Sequence, residues 1–234
     1  MQSNEVLVLI PAWNEAQRIG QVIRAVPSGI PVMVVDDGSS DGTAEVARSI
    51  GAEVLTHEIN QGKGGALKSG FRWGLENGFS AVLTLDADGQ HDPAEITKFI
   101  QAHRRAEADL IIGRRVFREI PFPRNYANAF GSWILSRALQ TKIYDNQSGY
   151  RLHTRKLLEI LEFRHTGFEF EVDIILQVLQ HGLNIGWVDI RTIYDVNKSS
   201  YFHPLRDSLR FFGVVWYAFR TFRRSQAVKR DDAQ

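Results

Sequence analysis

Short apolar runs rich in β-branched residues alternate with longer amphipathic stretches along most of this chain. Val6-Leu7-Val8-Leu9-Ile10, closed by Pro11, predicts a buried first strand, and Pro31-Val32-Met33-Val34-Val35 a second. A third short strand is expected at 53–56, a fourth from Ala81 to the edge of Asp86, and a fifth at Leu110-Ile111-Ile112-Gly113. Between them the spacing of apolar positions predicts helices ending near Val26, Ile50 and Glu76, the second capped by Ser40 or Asp41. Strand and helix in alternation, joined by short connections, predict right-handed crossovers and a parallel sheet. Further on, the pattern predicts an amphipathic helix over 126–139, carrying Phe130, Trp133, Ile134 and Leu135. A strand introduced by Asn146-Gln147-Ser148-Gly149-Tyr150-Arg151 follows, then helices over 154–161 and 168–180, a strand over 185–194 and a closing helix over 204–224. No repeat, low-complexity tract or long linker interrupts the pattern. The expected organisation is an α/β domain over 1–203 and an appendage over 204–234, an amphipathic helix with a basic tail.

Composition narrows the class. In 234 residues, 44% are hydrophobic and 24% charged, close to globular averages, so a sizeable core is expected. With no cysteine there is no disulfide, thiolate metal site or cysteine nucleophile, in keeping with a reducing compartment. A formal net charge of +1 lacks the basic excess of a nucleic-acid binder, so no nucleic-acid partner is expected. Met1 to Glu5 carry no basic signal-peptide segment, and no run reaches the roughly 18 apolar residues of a membrane span. These features predict a cytoplasmic protein.

The candidate chemistry lies where the strands end, which is where open sheets of this kind bind ligands. After the fourth strand comes Asp86-Ala87-Asp88-Gly89-Gln90-His91-Asp92-Pro93. The period of two along a strand is expected to turn Asp86 and Asp88 to one side. Two crowded carboxylates call for a cation, and Mg²⁺ or Mn²⁺, which prefer hard oxygen ligands, fit; Gln90 could add an amide oxygen. Ordinary turn chemistry is the alternative. Asp92, Pro93 and Glu95 read as the start of a helix. Asp36-Asp37 is a second acidic pair, suited either to accept hydrogen bonds from a ribose or base or to cap a turn. Gly62-Lys63-Gly64-Gly65 is neither a dinucleotide fingerprint, which needs glycine or alanine where Leu67 stands, nor a P-loop, which needs Gly-Lys-Ser/Thr. Its glycines allow close backbone approach, and Lys63 is a mobile cation.

Read together, Pro-Ala-Trp-Asn-Glu, Val-Asp-Asp-Gly-Ser-Ser-Asp-Gly-Thr, Asn-x-Gly-Lys-Gly and Asp-Ala-Asp-Gly-Gln-His-x-Pro, in order at successive strand ends, resemble the family 2 glycosyltransferases. The Gln-His-x-Pro extension and the later Ser-Gly-Tyr-Arg are similar to the dolichol-phosphate mannose synthase branch, the polyprenyl-phosphate glycosyltransferases. The resemblance spans about residues 4–210. It implies a GT-A fold, a mostly parallel sheet flanked by helices, a nucleotide-sugar donor such as GDP-mannose, and Mg²⁺ or Mn²⁺. It also implies inverting transfer of a hexose, mannose or glucose, to a polyprenyl phosphate. On this chain it implies donor binding by Pro11, Asn14, Glu15, Asp36, Asp37, Lys63, Asp86, Ala87 and Asp88, with Arg191 and Lys198 in a loop closing over the diphosphate. Metal ligation falls to Asp86, Asp88 and Gln90, catalysis to Asp86, Asp88 and Arg114, and the acceptor phosphate to Arg114, Arg124, Asn128 and Arg151.

A lipid acceptor accords with the second half of the chain. The closing helix, with Phe211, Phe212, Val214, Val215, Trp216, Tyr217 and Phe219 ahead of Arg220, Arg223 and Arg224, is too short to span a bilayer but broad enough to lie in its interface. Trp133 and Trp216 suit the headgroup zone. The expectation is a peripheral protein at the cytoplasmic face of a membrane. A separate membrane-anchoring protein or a second copy of the chain covering these helices is the other reading. Alternatives in function are a transferase of the same fold with a sugar or protein acceptor, a sugar nucleotidyltransferase, and a silent membrane-recruiting module. The first would need a base among Glu169, Glu171 and Asp173, three carboxylates that could equally form one solvated helix face.

Overall fold

β1 (Val6–Ala12) is buried at every residue except the half-exposed Pro11, and the remaining strands are laid down on either side of it. The computed structural model describes residues 5–115, 124–163, 170–191 and 193, and beyond them positions 213, 216, 219, 220 and 222. After β1 come α1 (Ala16–Ala25), β2 (Val32–Asp36), α2 (Thr43–Ser49), β3 (Glu53–Thr56), α3 (Gly62–Glu76) and β4 (Ala81–Thr84). A 3₁₀ turn at Pro93–Glu95 leads into α4 (Ile96–Arg104), followed by β5 (Leu110–Arg115), α5 (Arg124–Leu139), β6 (Arg151–Thr154), α6 (Arg155–Leu158), α7 (Phe170–Gln180) and β7 (Ile185–Ile190).

The described strands form one seven-stranded sheet in the order β3-β2-β1-β4-β6-β5-β7. Every neighbouring pair is parallel except those of β6, which runs antiparallel to both β4 and β5. The sheet is therefore mostly parallel, as a GT-A fold requires, but not wholly so. Reversal of β6 has a consequence for the site: the segment just before it, residues 145–150, meets the same carboxyl edge at which β1, β2, β4 and β5 end.

Side chains alternate across the buried strands and so feed two cores. Leu7, Leu9, Met33, Val35 and Ile112 face a layer made by α3, α5, α6 and α7, with Phe71, Leu135, Leu157 and Ile175 among its members. Val8, Ile10, Val34, Leu83 and Ile111 face the opposite layer, where Ile19 and Val22 of α1, Ala47 of α2 and Phe99 of α4 pack. α3 lies unusually close to the sheet. A Cβ at Gly70 would come within 2.2 Å of Leu9 Cδ1, so only glycine permits this approach.

Three local expectations are corrected. β4 ends at Thr84 rather than running to Asp86; Leu85 still donates to Leu9 O at 3.0 Å, and the chain then turns. The period-two argument for Asp86 and Asp88 therefore fails, because a turn and not a strand sets their directions. Asp88 Oδ1 accepts from Gln90 N at 2.9 Å, and Gly89 takes φ +74°. Neither Ser40 nor Asp41 sits at the N-cap of α2. Gly42 does, at φ +88°, and Asp41 accepts from Thr43 N at 3.1 Å and from Ala16 N at 3.0 Å. Asp92 does cap, accepting from Ala94 N at 2.9 Å. The strand expected over 185–194 is described as far as Ile190. Most of the expected closing helix lies outside the described residues, where only 213, 216, 219, 220 and 222 are given as helical.

One core residue ties stability to pH. His153, on β6, is 1% exposed, touches the Phe71 ring and leaves Nε2 without a partner among the described residues. Burial, helped by the nearby Arg151 charge, pushes its pKa down to about 3. Between pH 6.5 and 3 the unfolded chain therefore binds a proton at this position and the folded one does not. The stability His153 permits is complete above pH 6.5 and is lost as pH falls toward 3, by up to about 1.4 kcal/mol per pH unit. Urea midpoints measured from pH 7 to 4.5 should fall less steeply in His153→Gln than in the unmodified protein; equal slopes would remove the assignment.

Candidate active site

At the carboxyl edge a cavity of about 400 Å³ opens between the strand ends and the start of α3. Its walls include Pro11 near the end of β1, Trp13 and Glu15 after it, Asp37 after β2, Asn60, Gly62 and Lys63 before and in α3, and Asp86, Ala87 and Asp88 after β4. Its size is that of a small-molecule site.

Two polar braces shape the cavity. In the first, Asn14, held at φ +54°, donates from its backbone N to Ser39 Oγ at 2.9 Å and accepts from Ser40 N at 3.0 Å. Glu15 N donates to Thr43 Oγ1 at 2.9 Å, so the loops after β1 and β2 are fastened together. Asn14 thus braces the wall without forming it. In the second, Asp37 accepts at the start of α3 from Gln61 N at 2.9 Å and Gly62 N at 2.8 Å, a favourable place for a carboxylate. Its Oδ1 also meets His57 Nδ1 at 2.7 Å, and His57 Nε2 meets Ser69 Oγ at 2.9 Å. Asp37 lines the cavity, yet both of its oxygens are committed to holding α3. Asp36 is buried at the end of β2, outside the wall, with Oδ1 lacking a partner among the described residues.

The centre of the cavity is charged. Asp86 Oδ1 lies 2.7 Å from Lys63 Nζ, and Oδ2 lies 3.5 Å from Nε2 of the buried His91. The ammonium also meets Glu171 Oε1 of α7 at 3.0 Å. Burial alone would raise the Asp86 carboxyl, but the Lys63 charge and the His91 contact outweigh it and hold the group well below the usual carboxylate range. Partial desolvation in the cavity likewise opposes charge on Lys63, while the two carboxylates more than compensate and hold its pKa above the ordinary lysine value. Among the described residues no group of three or more His, Cys, Asp or Glu side chains could hold a metal by itself.

Gly149, just ahead of β6, closes this cluster from the antiparallel side. A Cβ there would stand 2.5 Å from Asp86 Oδ2 and 2.8 Å from Lys63 Nζ. Gly149→Ala should therefore push both groups aside and lower kcat/KM by about 10²-fold with little change in Tm, since misplacing a reacting group by about 1 Å costs that much. Steady-state kinetics beside a thermal melt test this, and a loss below threefold would mean the cluster tolerates the methyl.

The arginines separate. Arg114, the penultimate residue of β5, is partly exposed, grips Asp189 through Nε at 2.6 Å and Nη2 at 2.9 Å, and lies 4.6 Å above the Tyr144 ring. Arg115 is buried in a bidentate pair with Asp145, at 2.7 and 2.9 Å. Arg151, expected at the acceptor phosphate, is 1% exposed and donates to the carbonyls of Ser148, Glu171 and Asn146 at 2.7–2.9 Å. That geometry makes it a strut behind the site rather than an acceptor contact. Arg191 is exposed just past β7 and does not reach the cavity wall. Gln90 is half-buried and not part of the cavity wall, and its backbone carbonyl accepts from Ile193 N at 2.9 Å. The side chains of Arg124 and Asn128 and all of Lys198 lie outside the described residues. Asp173 is buried and accepts from Gln177 Nε2 at 2.8 Å, so the solvated helix face considered for it is not formed; Glu169 lies outside the described residues.

Sequence reasoning passed over Trp13, His57, Gly149 and the pairing of Glu171 with Lys63. Trp13 stands in the first of the four motifs and, as a residue, is 57% exposed at the cavity wall, an uncommon place for so large an apolar group. Gly149 stands in Ser-Gly-Tyr-Arg. No local signal marks His57 or the Glu171 contact, which join residues 20 and 108 positions apart.

Residues 7–161 match the family model described as Glycosyl transferase family 2. The chain is 33% identical over 201 residues to an undecaprenyl-phosphate mannosyltransferase of Micrococcus luteus, covering 79% of this chain and 82% of that protein. It is 31% identical over 210 residues to a polyprenol monophosphomannose synthase of Mycolicibacterium smegmatis, covering 80% and 77%. Among solved structures, glucosyl-3-phosphoglycerate synthase of Mycobacterium tuberculosis, in complex with Mn²⁺, UDP and phosphoglyceric acid, superposes with a TM-score of 0.71. That match is 21% identical and covers 92% of this chain and 78% of the other, a likeness of fold.

Proposed function

Because this chain belongs to glycosyl transferase family 2, we propose that it moves a hexose, mannose or glucose, from a nucleotide-diphosphate sugar to a polyprenyl phosphate with inversion at the anomeric carbon. The observation that carries this reading is the meeting of Asp86, Asp88 and Lys63 in one cavity beside an exposed Trp13. The indole face is available to stack on a base, and Lys63 offers charge to a diphosphate. Asp86 and Asp88 are hard oxygen donors on the same wall, and Asp86 already carries a cationic partner, so the pair fits Mg²⁺ or Mn²⁺, with Gln90 and the diphosphate supplying further oxygens. When bound, such an ion neutralises charge on the departing nucleoside diphosphate.

The residues that orient the groups act around that centre. His91 and Gly149 fix Asp86 from two sides, and Asp37 and His57 fix α3, which carries Lys63. On the acceptor side Arg114 is the candidate within the described residues, with Arg124 and Asn128 proposed from the family resemblance alone, and Lys198 stays with the donor loop that the same resemblance implies. A phosphate monoester is anionic near pH 7, since its second pKa is about 6, so a polyprenyl phosphate needs no strong base to attack. A sugar acceptor would need one, and Asp173, buried against Gln177, is poorly placed to serve.

The acceptor reading draws support from both relatives, whose names specify polyprenyl acceptors. It also accords with α5, where Phe130 and Trp133 stack with ring centroids 6.1 Å apart on an exposed face and Arg137 lies 5.7 Å from the Trp133 ring. Aromatic and cationic groups of this kind suit a bilayer interface and support a peripheral membrane protein, and we propose the cytoplasmic face for it in keeping with the cysteine-free sequence. No helix among the described residues is long and apolar enough to cross a membrane.

Purified protein with Mn²⁺, a short-chain polyprenyl phosphate and either GDP-mannose or UDP-glucose should form a lipid-linked sugar with one of the two donors. If a donor binds and no lipid product forms with either, the acceptor assignment fails and the sugar- or protein-acceptor reading takes its place.

A further inference from the structure

Lys63 is an odd residue to find where it stands. It occupies the first turn of α3, the end of a helix that disfavours a cation. Its side chain is 43% exposed, so no packing demand holds it there. It is nonetheless clamped between two carboxylates from distant parts of the chain, Asp86 Oδ1 at 2.7 Å and Glu171 Oε1 at 3.0 Å. Gly149 lies beside both Lys63 and Asp86, where even a Cβ would stand within 2.8 Å of each. An ammonium seated on a carboxylate oxygen takes the place a divalent cation would take on the same atom.

Resting on the donor-site reading above, we propose that Lys63 is the resident counterion of the site. Its ammonium holds the cation position on Asp86 until metal and nucleoside diphosphate arrive together, and Glu171 then keeps it beside the phosphates. The arrangement prevents two opposite failures. Without Lys63, Asp86 and Asp88 would trap free metal with no donor present. Without Glu171, the displaced ammonium would swing into solvent instead of meeting the diphosphate. Glu171 is on this account a positioning residue that acts through Lys63.

Titration calorimetry of the full chain tests the proposal with Mn²⁺ alone, then with GDP and with UDP at saturating Mn²⁺. In K63M, Mn²⁺ alone should bind at least tenfold tighter than to the unmodified protein, while the preferred nucleotide should bind at least tenfold more weakly. E171Q should weaken that nucleotide at least fivefold in the unmodified background and by less than twofold in K63M, because its effect passes through the lysine. A merely structural Glu171 would weaken binding equally in both backgrounds, which would overturn its role. Mn²⁺ affinity unchanged or reduced in K63M would overturn the counterion role, and K63Q, checked by circular dichroism, gives the same reading should K63M misfold. If the unmodified protein binds neither GDP nor UDP in Mn²⁺, the donor-site reading itself falls, and this inference with it.

Discussion

Asp86→Ala is expected to lower sugar transfer by about three orders of magnitude, the scale on which electrostatic stabilisation of a leaving group acts. Asp86 is where the site's contacts converge: Lys63 on one oxygen, His91 on the other, and the bare backbone of Gly149 alongside. Removing it deletes a hard oxygen from the proposed cation position and leaves Lys63 held by Glu171 alone. The fold should survive, because Asp86 lies beyond β4 in a turn and contributes no strand pairing. Single-turnover assays with saturating donor, beside Mn²⁺ titration and a thermal melt, separate these effects. The expected result is lost turnover, weakened Mn²⁺ binding and a Tm within a few degrees. Asp88→Ala should behave alike. Near-normal turnover of either variant at low Mn²⁺ would remove the carboxylates from the handling of the leaving group.

Asp145→Ala should instead cost stability, about 3–5 kcal/mol, because it withdraws the bidentate carboxylate from a guanidinium kept inside the protein. The Arg115 and Asp145 side chains are only 6% and 1% exposed, and Asp145 Oδ1 also accepts from Gln147 N at 3.1 Å. The pair ties the end of β5 to the loop that delivers Gly149 to the site. A loss of this size is a large fraction of the roughly 5–15 kcal/mol that holds a domain folded. Urea denaturation should give a markedly lower midpoint, and activity measured well below that midpoint should fall too as the loop loosens. Replacing both partners by apolar residues, Arg115→Met with Asp145→Leu, should restore most of the stability, since the burial penalty then vanishes with the charges. A single-variant loss below about 1 kcal/mol would mean that the pair is solvated in solution and does not anchor the loop.

The readings that succeeded from sequence were those carried by runs of neighbouring residues. The apolar stretches at 6–10, 32–35, 81–84 and 110–112 became strands because each is long enough to be buried and is bounded by breakers or acidic turns. Asp92 with Pro93 marked a helix entry because capping is decided within three residues. What the sequence left undecided had the opposite character. Asp36 and Asp37 are adjacent, looked alike and are both buried, but Asp36 leaves Oδ1 without a partner among the described residues, whereas Asp37 is bound by the start of α3 and by His57. Arg114 and Arg115 diverge for the same reason. Alternation along β5 turns one toward Tyr144 and Asp189 and the other inward to Asp145.

What the sequence by itself determined is the alternation of strand and helix, the collection of acidic and glycine-rich loops at strand ends, and through four ordered motifs the membership in glycosyl transferase family 2. All of these are local, written in hydrophobic period, turn chemistry and short spacings. Only the tertiary structure decided that β6 runs backwards, and with it that Gly149 lies against Asp86, that Arg151 is a strut, and that Glu171 shares Lys63 with Asp86. Strand direction depends on which edge of the sheet a connection reaches. Contact between charges 108 positions apart depends on how the layers pack. Neither leaves a mark on the residues nearby in sequence.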